Sequence, residues 1–502
     1  MPKVIGIGKQ RYDRIIENDG FYIDKTMFIK EWWENQDDVT LITRPRRFGK
    51  TLNMDMLKCF FSNEYKDRGD LFEGLDIWKE EKYREIQGTY PVIFLSFAKI
   101  KQNTYKDAIA GIKRIICDEI QKYIFLKDWD GLADAEKNNL KNITYGMDDV
   151  TAQEAIASLS NYLSRYYGKN VIILLDEYDT PMQEAYVNGY WEELVSFTRS
   201  FFNATFKSNL YLERAVITGI TRVSKESMFS DLNNLKVITV ESDEYSDTFG
   251  FSEEEVFLAL DDFNLSDKKQ IVKEWYDGFT FGSQRDIYNP WSIINFLENK
   301  KIDTYWADTS SNSLINHLIK KSVPEIKELM ELLLKRESIE VTFDDQIVFN
   351  QLDKSKNAIW SLLVASGYLK IDDIEYKGLL LKPWYHISIT NLETVSMFAN
   401  MFAGWFENPD ARYNDFIKSL LNNDLKGMNY YMNKVALATF SYFDTGKNPS
   451  ETLEPERFYH GFVLGLIVEL SDRYEVKSNR ESGFGRYDVM IIPLDKSEKA
   501  IV

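Results

Sequence analysis

At 502 residues and 44% hydrophobic content, the chain carries about three domains' worth of polypeptide and ample apolar material for packed cores, the profile of a globular protein. Its net charge of −18 supplies no general field for nucleic acid, so contact with DNA or RNA needs local basic patches, and bulk charge neither supports nor excludes a nuclease. Cys59 and Cys117 sit in apolar helical contexts that point to buried thiols in a reduced compartment, and His317, His386 and His460 are too scattered for a zinc cluster.

Early Lys3, Lys9, Arg11 and Arg14 leave no secretory apolar region after Met1, and no run of about eighteen apolar residues follows, so no membrane segment is expected and the cytoplasm is the default. The first strong signal is the apolar run 39–43, a predicted strand, followed by Arg44-Pro-Arg-Arg-Phe-Gly-Lys-Thr51 and a helical pattern over 52–62. A strand, a G-K-T tripeptide and a helix start in that order form a phosphate-binding loop, because free backbone N–H groups and the helix dipole attract phosphate there. Arg44 stands where the general pattern G-x-x-x-x-G-K-[ST] has its first glycine. The nucleotide-binding set expected from this loop is Arg44, Arg46, Arg47, Phe48, Gly49, Lys50, Thr51 and Leu52.

Further along, 91–97 reads as a strand, and helices follow near 105–125 and 152–167. Asn170-Val-Ile-Ile-Leu-Leu-Asp-Glu-Tyr-Asp179 then runs five branched aliphatic residues straight into Asp176 and Glu177. A strand buried on both faces is apolar throughout, and the carboxyl end of such a strand is where an open α/β sheet places ligands. There Asp176 is expected to hold Mg²⁺ beside the Thr51 hydroxyl, Lys50 to meet the β- and γ-phosphates of ATP, and Glu177 to polarise the attacking water. A helix over 191–206 and strands at 213–218 and 236–240 complete an alternation that argues for a parallel sheet covered by helices. Thr218, Thr221 and Arg222 fall at a strand end, where Arg222 is either a γ-phosphate sensor or an exposed ion-pairing arginine.

Four segments, Phe21-Tyr-Ile-Asp-Lys-Thr26, Leu41 to Asn53, Asp176-Glu-Tyr-Asp-Thr-Pro181 and Gly219-Ile-Thr-Arg222, together resemble the AAA-ATPase-like family of bacterial proteins, which commonly carry a C-terminal PD-(D/E)XK nuclease-superfamily domain. The resemblance runs nearly end to end. It implies an α/β fold with a P-loop NTPase parallel sheet of the additional-strand type, then a helical and winged-helix-like region, then an α/β nuclease-like domain that is incomplete here. It also implies that arginine at the first loop position is usual. At the residue level, an arginine there adds charge near the phosphates and forgoes glycine's permissive backbone, with slow turnover as the consequence. Asp24 is expected at the base and ribose, and Tyr22 is either an adenine-stacking ring or ordinary packing. Arg46 and Arg47 are open between phosphate, a nucleic-acid backbone and a pair with Asp179. The expected domains are 1–245 for the ATPase, 246–330 for a helical lid or linker, 331–400 for the winged-helix-like region, and 401–502 for a helical connector with the partial nuclease-like domain.

After 246 the pattern turns helical, with Ser252 and Glu253 to Glu255 reading as a capped helix start. The aromatic run through Trp275, Tyr288 and Trp306 reads as packing in preference to base stacking. A helix, turn and strand over 358–389, with Asp372, Asp373 and Glu375 beside them, favour protein docking over DNA binding. In the last fifty residues Glu456 lies one turn from His460 on an amphipathic helix, and Asp488 sits in an apolar strand after a glycine-rich turn. These are the first two metal-binding carboxylates of a PD-(D/E)XK order, in which Mg²⁺ positions water for in-line attack and a lysine orients it. A third strand starts at Lys499 and reaches Val502 with no glutamate and lysine of an E-x-K pair. The partners expected are ATP, DNA or RNA through the C-terminal regions, and a protein partner or self-association, with no membrane. Two functions stand open, an ATPase coupled to a nuclease module and a slow or non-hydrolysing nucleotide switch that docks a partner. This 502-residue polypeptide is expected not to cleave, so a plasmid-nicking assay with Mg²⁺ or Mn²⁺ should show no product. Robust cutting that Asp488→Ala abolishes overturns the expectation.

Overall fold

The computed structural model describes residues 3–221, 228–229, 232–307, 315, 318–319, 324–343, 357–405, 419–420, 422–430, 474–482 and 485–495. Five parallel strands, β1 (Val39–Thr43), β2 (Val92–Ser96), β3 (Val171–Asp176), β4 (Leu212–Gly219) and β5 (Leu235–Ile238), form one sheet in the order β2-β3-β4-β1-β5. Every residue of β1 and β3 is buried, which is why both read as unbroken apolar runs. The order sets β4 between β1, which leads into the loop at residues 44–49, and the strand that ends in Asp176. Pairing aligns Thr43 with Gly219 and Leu175 with Ile217, so the carboxyl ends of β1, β3 and β4 open on the same edge.

Helices Lys50–Phe61, Tyr105–Gln121 and Asp149–Tyr167 pack on this sheet, and local chemistry sets their ends. Thr104 accepts from the Asp107 N–H, and Asp148 accepts from the Thr151 N–H, each satisfying an orphan donor of a helix start. The helix expected over 191–206 is α-helical as Trp191–Phe202 and then widens into a π-helical turn, Asn203–Lys207. Cys59 and Cys117 are both buried, as their apolar contexts indicated. No helix among the described residues is long and apolar enough to cross a membrane.

Two compact units divide the chain, one of residues 1–318 with 340–393 and one of residues 319–339 with 394–502. The first unit continues past the parallel sheet into a segment that is not purely helical. Ser252 caps helix Glu253–Asp262 as expected and Glu255 completes a capping box with it, but three short antiparallel strands, β6 (Phe251–Ser252), β7 (Phe279–Phe281) and β8 (Gln284–Tyr288), accompany the helix in the order β6-β8-β7. Val256, Leu260, Tyr276, Tyr288, Ile293 and Phe296 form the core here, so these aromatics serve packing. A second small sheet follows, β10 (Leu369–Lys377) with β11 (Lys382–Ile389) and the short β9 (Ile339–Val341), after helix Ala358–Ala365. In the other unit, β12 (Tyr474–Ser482) and β13 (Gly485–Pro493) pair antiparallel.

Glu393, in the first turn of helix Leu392–Trp405, is fully buried and ties the first unit's late segments together. Its carboxylate accepts from the Ser292 hydroxyl at 2.8 Å and from the Trp306 and Ala307 N–H groups at 2.6 and 3.4 Å. Burial dominates these bonds and pushes the group up to about 7. An unfolded glutamate titrates at about 4.3. The folded state therefore holds this proton more tightly, and the stability it contributes is full below the unfolded value and lost as pH rises through about 7. Between pH 5 and 8, wild type should lose on the order of 2 kcal/mol of unfolding free energy relative to Glu393→Gln. Parallel pH dependences of the two proteins in urea melts would remove the assignment.

Candidate functional site

The loop between β1 and helix Lys50–Phe61 meets the turn after β3 at the carboxyl edge of the parallel sheet. Gly49 takes the left-handed φ of 79° just before the helix, a conformation that favours glycine, and Arg47 reaches φ 65° in the same loop. Among the described residues no acceptor faces the backbone N–H groups of Phe48, Gly49, Lys50 and Thr51. These are orphan donors at a helix start, the arrangement that receives phosphate oxygens.

Lys50 is buried, and its ammonium donates to the carbonyls of Arg44 at 2.9 Å and Pro45 at 2.7 Å. Burial lowers its pKa, while the charges of Glu177, Asp179 and Asp176 act in the opposite direction. The Thr51 hydroxyl donates to Asp176 Oδ2 at 2.9 Å, and Thr218 donates to Asp176 Oδ1 at 2.7 Å. Asp176 is buried, and desolvation raises its pKa against these two bonds. A hydroxyl and a carboxylate held together beside a lysine are hard oxygen donors suited to Mg²⁺, so the residues present fit that ion and a nucleotide phosphate.

Glu177 occupies φ 52°, a left-handed conformation unusual for a side chain with a Cβ. Its N–H points to the Thr218 hydroxyl at 3.4 Å, and its carboxylate accepts from the Thr180 hydroxyl at 3.1 Å. The next residue, Tyr178, donates its N–H to the Thr218 carbonyl at 3.0 Å and its hydroxyl to the Thr221 carbonyl at 2.7 Å. The structure thus brings together Lys50, Thr51, Asp176 and Glu177, with Thr218 supporting the two acidic residues.

Arg44, expected beside the phosphates, is turned the other way. Its guanidinium is fully buried, donates to the carbonyls of Thr43 at 3.0 Å and Thr239 at 2.6 Å, and lies 4.6 Å from the Phe281 ring centroid. Arg44 is also absent from the residues of positive φ, so nothing of glycine's backbone freedom is forgone there. Arg46 donates to Gln183 Oε1 at 3.3 Å rather than to Asp179, and Arg47 stacks 4.3 Å from the Trp291 ring. Phe48 is a core side chain edge-on to Phe279 at 4.8 Å, and Leu52 is half-buried in the first helical turn. Asp24 is likewise engaged elsewhere, accepting from the Thr26 N–H and hydroxyl at 2.9 and 2.7 Å and from the Asp76 N–H at 2.7 Å. Tyr22 packs edge-on to Tyr12 and places its hydroxyl 3.5 Å from the Met56 sulfur. Arg222 and Glu456 lie outside the described residues, and Asp488 lies on β13.

One grouping was not legible in the sequence. Glu340, Glu375 and His386, on three neighbouring strands of the small sheet, bring their ligand atoms within 4.8 Å of one another. Lys377 contacts both carboxylates, Glu375 at 3.2 Å, so the two acids already share one cation in a cross-strand ion network.

Comparison with known proteins agrees with this geometry. A family model described as predicted AAA-ATPase matches residues 6–229, and one described as PD-(D/E)XK nuclease superfamily matches residues 454–502. The chain is also 24% identical over 504 residues to the uncharacterized protein in the vnfD 5′ region of Azotobacter chroococcum mcd 1, an alignment that covers 98% of this chain and 87% of that protein. With its loop, lysine and acidic strand end at the edge of a five-stranded parallel sheet, the chain carries an AAA-ATPase-like domain at its N-terminus, residues 6–229, and a PD-(D/E)XK nuclease superfamily region at residues 454–502.

Proposed function

We propose that the N-terminal domain binds ATP and hydrolyses it with Mg²⁺, using Lys50, Thr51, Asp176 and Glu177. The contact that carries this reading is the 2.9 Å bond from Thr51 to Asp176, directly after the buried Lys50. Lys50 exchanges its loop carbonyls for the β- and γ-phosphate oxygens, and the amides of Phe48 to Thr51 take the remaining phosphate charge. Thr51 and Asp176 hold the metal, which when bound neutralises phosphate charge and fixes its orientation. Glu177, half-buried and steadied by Thr180, orients the attacking water. Arg44 supports the loop from behind, and Arg46 and Arg47 remain within the loop as side chains able to reach phosphate. The strand order, with β4 between β1 and β3, supports the additional-strand type of P-loop fold.

Coupling to a nuclease module follows from the family region at 454–502, with Glu456 and Asp488 as its candidate metal carboxylates and DNA or RNA as its substrate class. A second reading, a nucleotide-dependent switch that docks a protein partner, is favoured by the tip of the β10–β11 hairpin. Leu379, Leu380 and Leu381 there are 99, 80 and 66% exposed, and the flanking strand carries Asp372, Asp373 and Glu375. An apolar, acid-flanked tip suits a protein surface better than a phosphate backbone. The helix Ala358–Ala365 followed by this hairpin supports the winged-helix-like reading.

Calorimetric titration with ATP and Mg²⁺, paired with phosphate release, separates the two readings. Wild type should bind ATP and release phosphate above background. Lys50→Ala should weaken binding at least about tenfold, whereas Glu177→Gln should keep affinity within about threefold and lose on the order of 100-fold in turnover. Binding without turnover in wild type would select the switch, and absence of ATP binding would overturn both.

A further inference from the structure

Asp179 stands at the position that precedes helix Thr180–Asn188, where an aspartate ordinarily caps the first turn. Its side chain makes no capping bond. The carboxylate instead reaches across to β4, where Oδ2 accepts from the Ile220 N–H at 3.0 Å, the Thr221 N–H at 2.9 Å and the Thr221 hydroxyl at 2.9 Å. Gln183 Nε2 donates to the same oxygen at 3.1 Å, and Gln183 Oε1 accepts from the Arg46 guanidinium at 3.3 Å. One buried oxygen thereby joins the exit of β4, the turn after β3 and, through a single glutamine, the phosphate-binding loop. Asp179 Oδ1 is buried with no hydrogen-bond partner, an expensive arrangement for a carboxylate that serves packing alone.

Sterics reinforce the tie. A Cβ built on Gly219 falls 2.6 Å from the Tyr178 ring and 2.8 Å from Asp179 Oδ1, so the β4 exit and the acidic turn approach as closely as a glycine permits. The residue just before this glycine, Thr218, supports both Asp176 and the Glu177 N–H. Holding Ile220 and Thr221 therefore sets where the Thr218 hydroxyl lies, and with it the orientation of the metal-binding and water-orienting carboxylates.

We propose that Asp179 and Gln183 are positioning residues for ATP turnover, locking the β4 exit to the phosphate-binding loop so that Thr218 keeps Asp176 and Glu177 in register. This rests on the ATPase reading above. The role is hydrogen-bond acceptance, so asparagine, which keeps one acceptor oxygen, should substitute better than alanine.

Three variants of the full chain test it by turnover, ATP affinity and amide hydrogen exchange over residues 218–221. Asp179→Ala should lower kcat on the order of 100-fold, keep ATP affinity within about threefold and speed exchange at Ile220 and Thr221 about tenfold. Asp179→Asn should recover at least about tenfold of the lost kcat. Gln183→Ala, which leaves the β4 bonds intact, should lower kcat by roughly three- to tenfold at unchanged affinity, and it decides the matter if Asp179→Ala fails to fold. Wild-type kcat in Gln183→Ala, or a loss in Asp179→Ala that falls equally on affinity and is not recovered by asparagine, overturns the proposal. Should wild type release no phosphate, the ATPase reading fails instead, and unchanged exchange in Asp179→Ala would then refute the tie itself.

Discussion

A guanidinium with no exposed surface has to be solvated by the protein around it, and at Arg44 the solvation is built from backbone carbonyls and aromatic rings. Besides Thr43 and Thr239, the Glu244 and Tyr245 carbonyls lie 3.4 Å from Nη2, and the Phe249 ring lies 5.8 Å from the charge. Burial brings the group down to about 9, with the charge of Glu31 opposing, so it stays charged at neutral pH. A buried charge that loses its partners costs roughly 3–5 kcal/mol, so the turn 239–245 and the phenylalanines are bound to Arg44 as firmly as it is to them. The first position of the loop is thereby fixed. Its N–H donates to the Gly219 carbonyl at 3.1 Å, and its own carbonyl receives Lys50.

From that anchor the loop is held on a second side by the segment that follows the parallel sheet. The Arg46 carbonyl accepts from Asn289 at 3.3 Å and from the Trp306 indole at 3.0 Å, while Phe48 packs into Phe279 and Phe281. Trp306 in turn presents its backbone N–H to Glu393. A change in the loop's backbone is therefore felt by Asn289 and Trp306 before it reaches any surface. The segment after 246 is structurally part of the loop's support, because its polar side chains satisfy carbonyls that the loop cannot pair internally.

How much of this was legible depends on the range of the interactions involved. The bounds of β1 and the run of β3 into Asp176 were readable because strands covered on both faces must be apolar, and that is a local property of the sequence. The Ser252 cap with its first-turn acids was readable for the same reason. Strands β6 to β8 were not, since they are short and their pairing depends on a turn at Gly282 with φ 55° and on contacts far along the chain. Arg44 read as a phosphate ligand because a cation in such a loop ordinarily is one. Its real partners lie some two hundred positions away, and no spacing rule reaches them. The cluster of Glu340, Glu375 and His386 was invisible for the same reason, being assembled only when three strands align.

Glu177 shows where the separate constraints converge. A glutamate at φ 52° sits in a conformation that costs of order 1 kcal/mol and persists only where its surroundings over-determine it. Besides the Thr180 hydroxyl, those surroundings converge on one strand exit. Thr218 meets its N–H, the Tyr178 backbone and hydroxyl meet Thr218 and Thr221, and the carboxylate of Asp179 meets Ile220 and Thr221. Because Gly219 also carries the carbonyl that receives the Arg44 N–H, any displacement of β4 moves the loop and the acidic turn together. Strain at Glu177 and burial at Arg44 are thus two ends of one device: the strand between β1 and β3 transmits to the carboxylate edge the position that a buried arginine imposes on the loop.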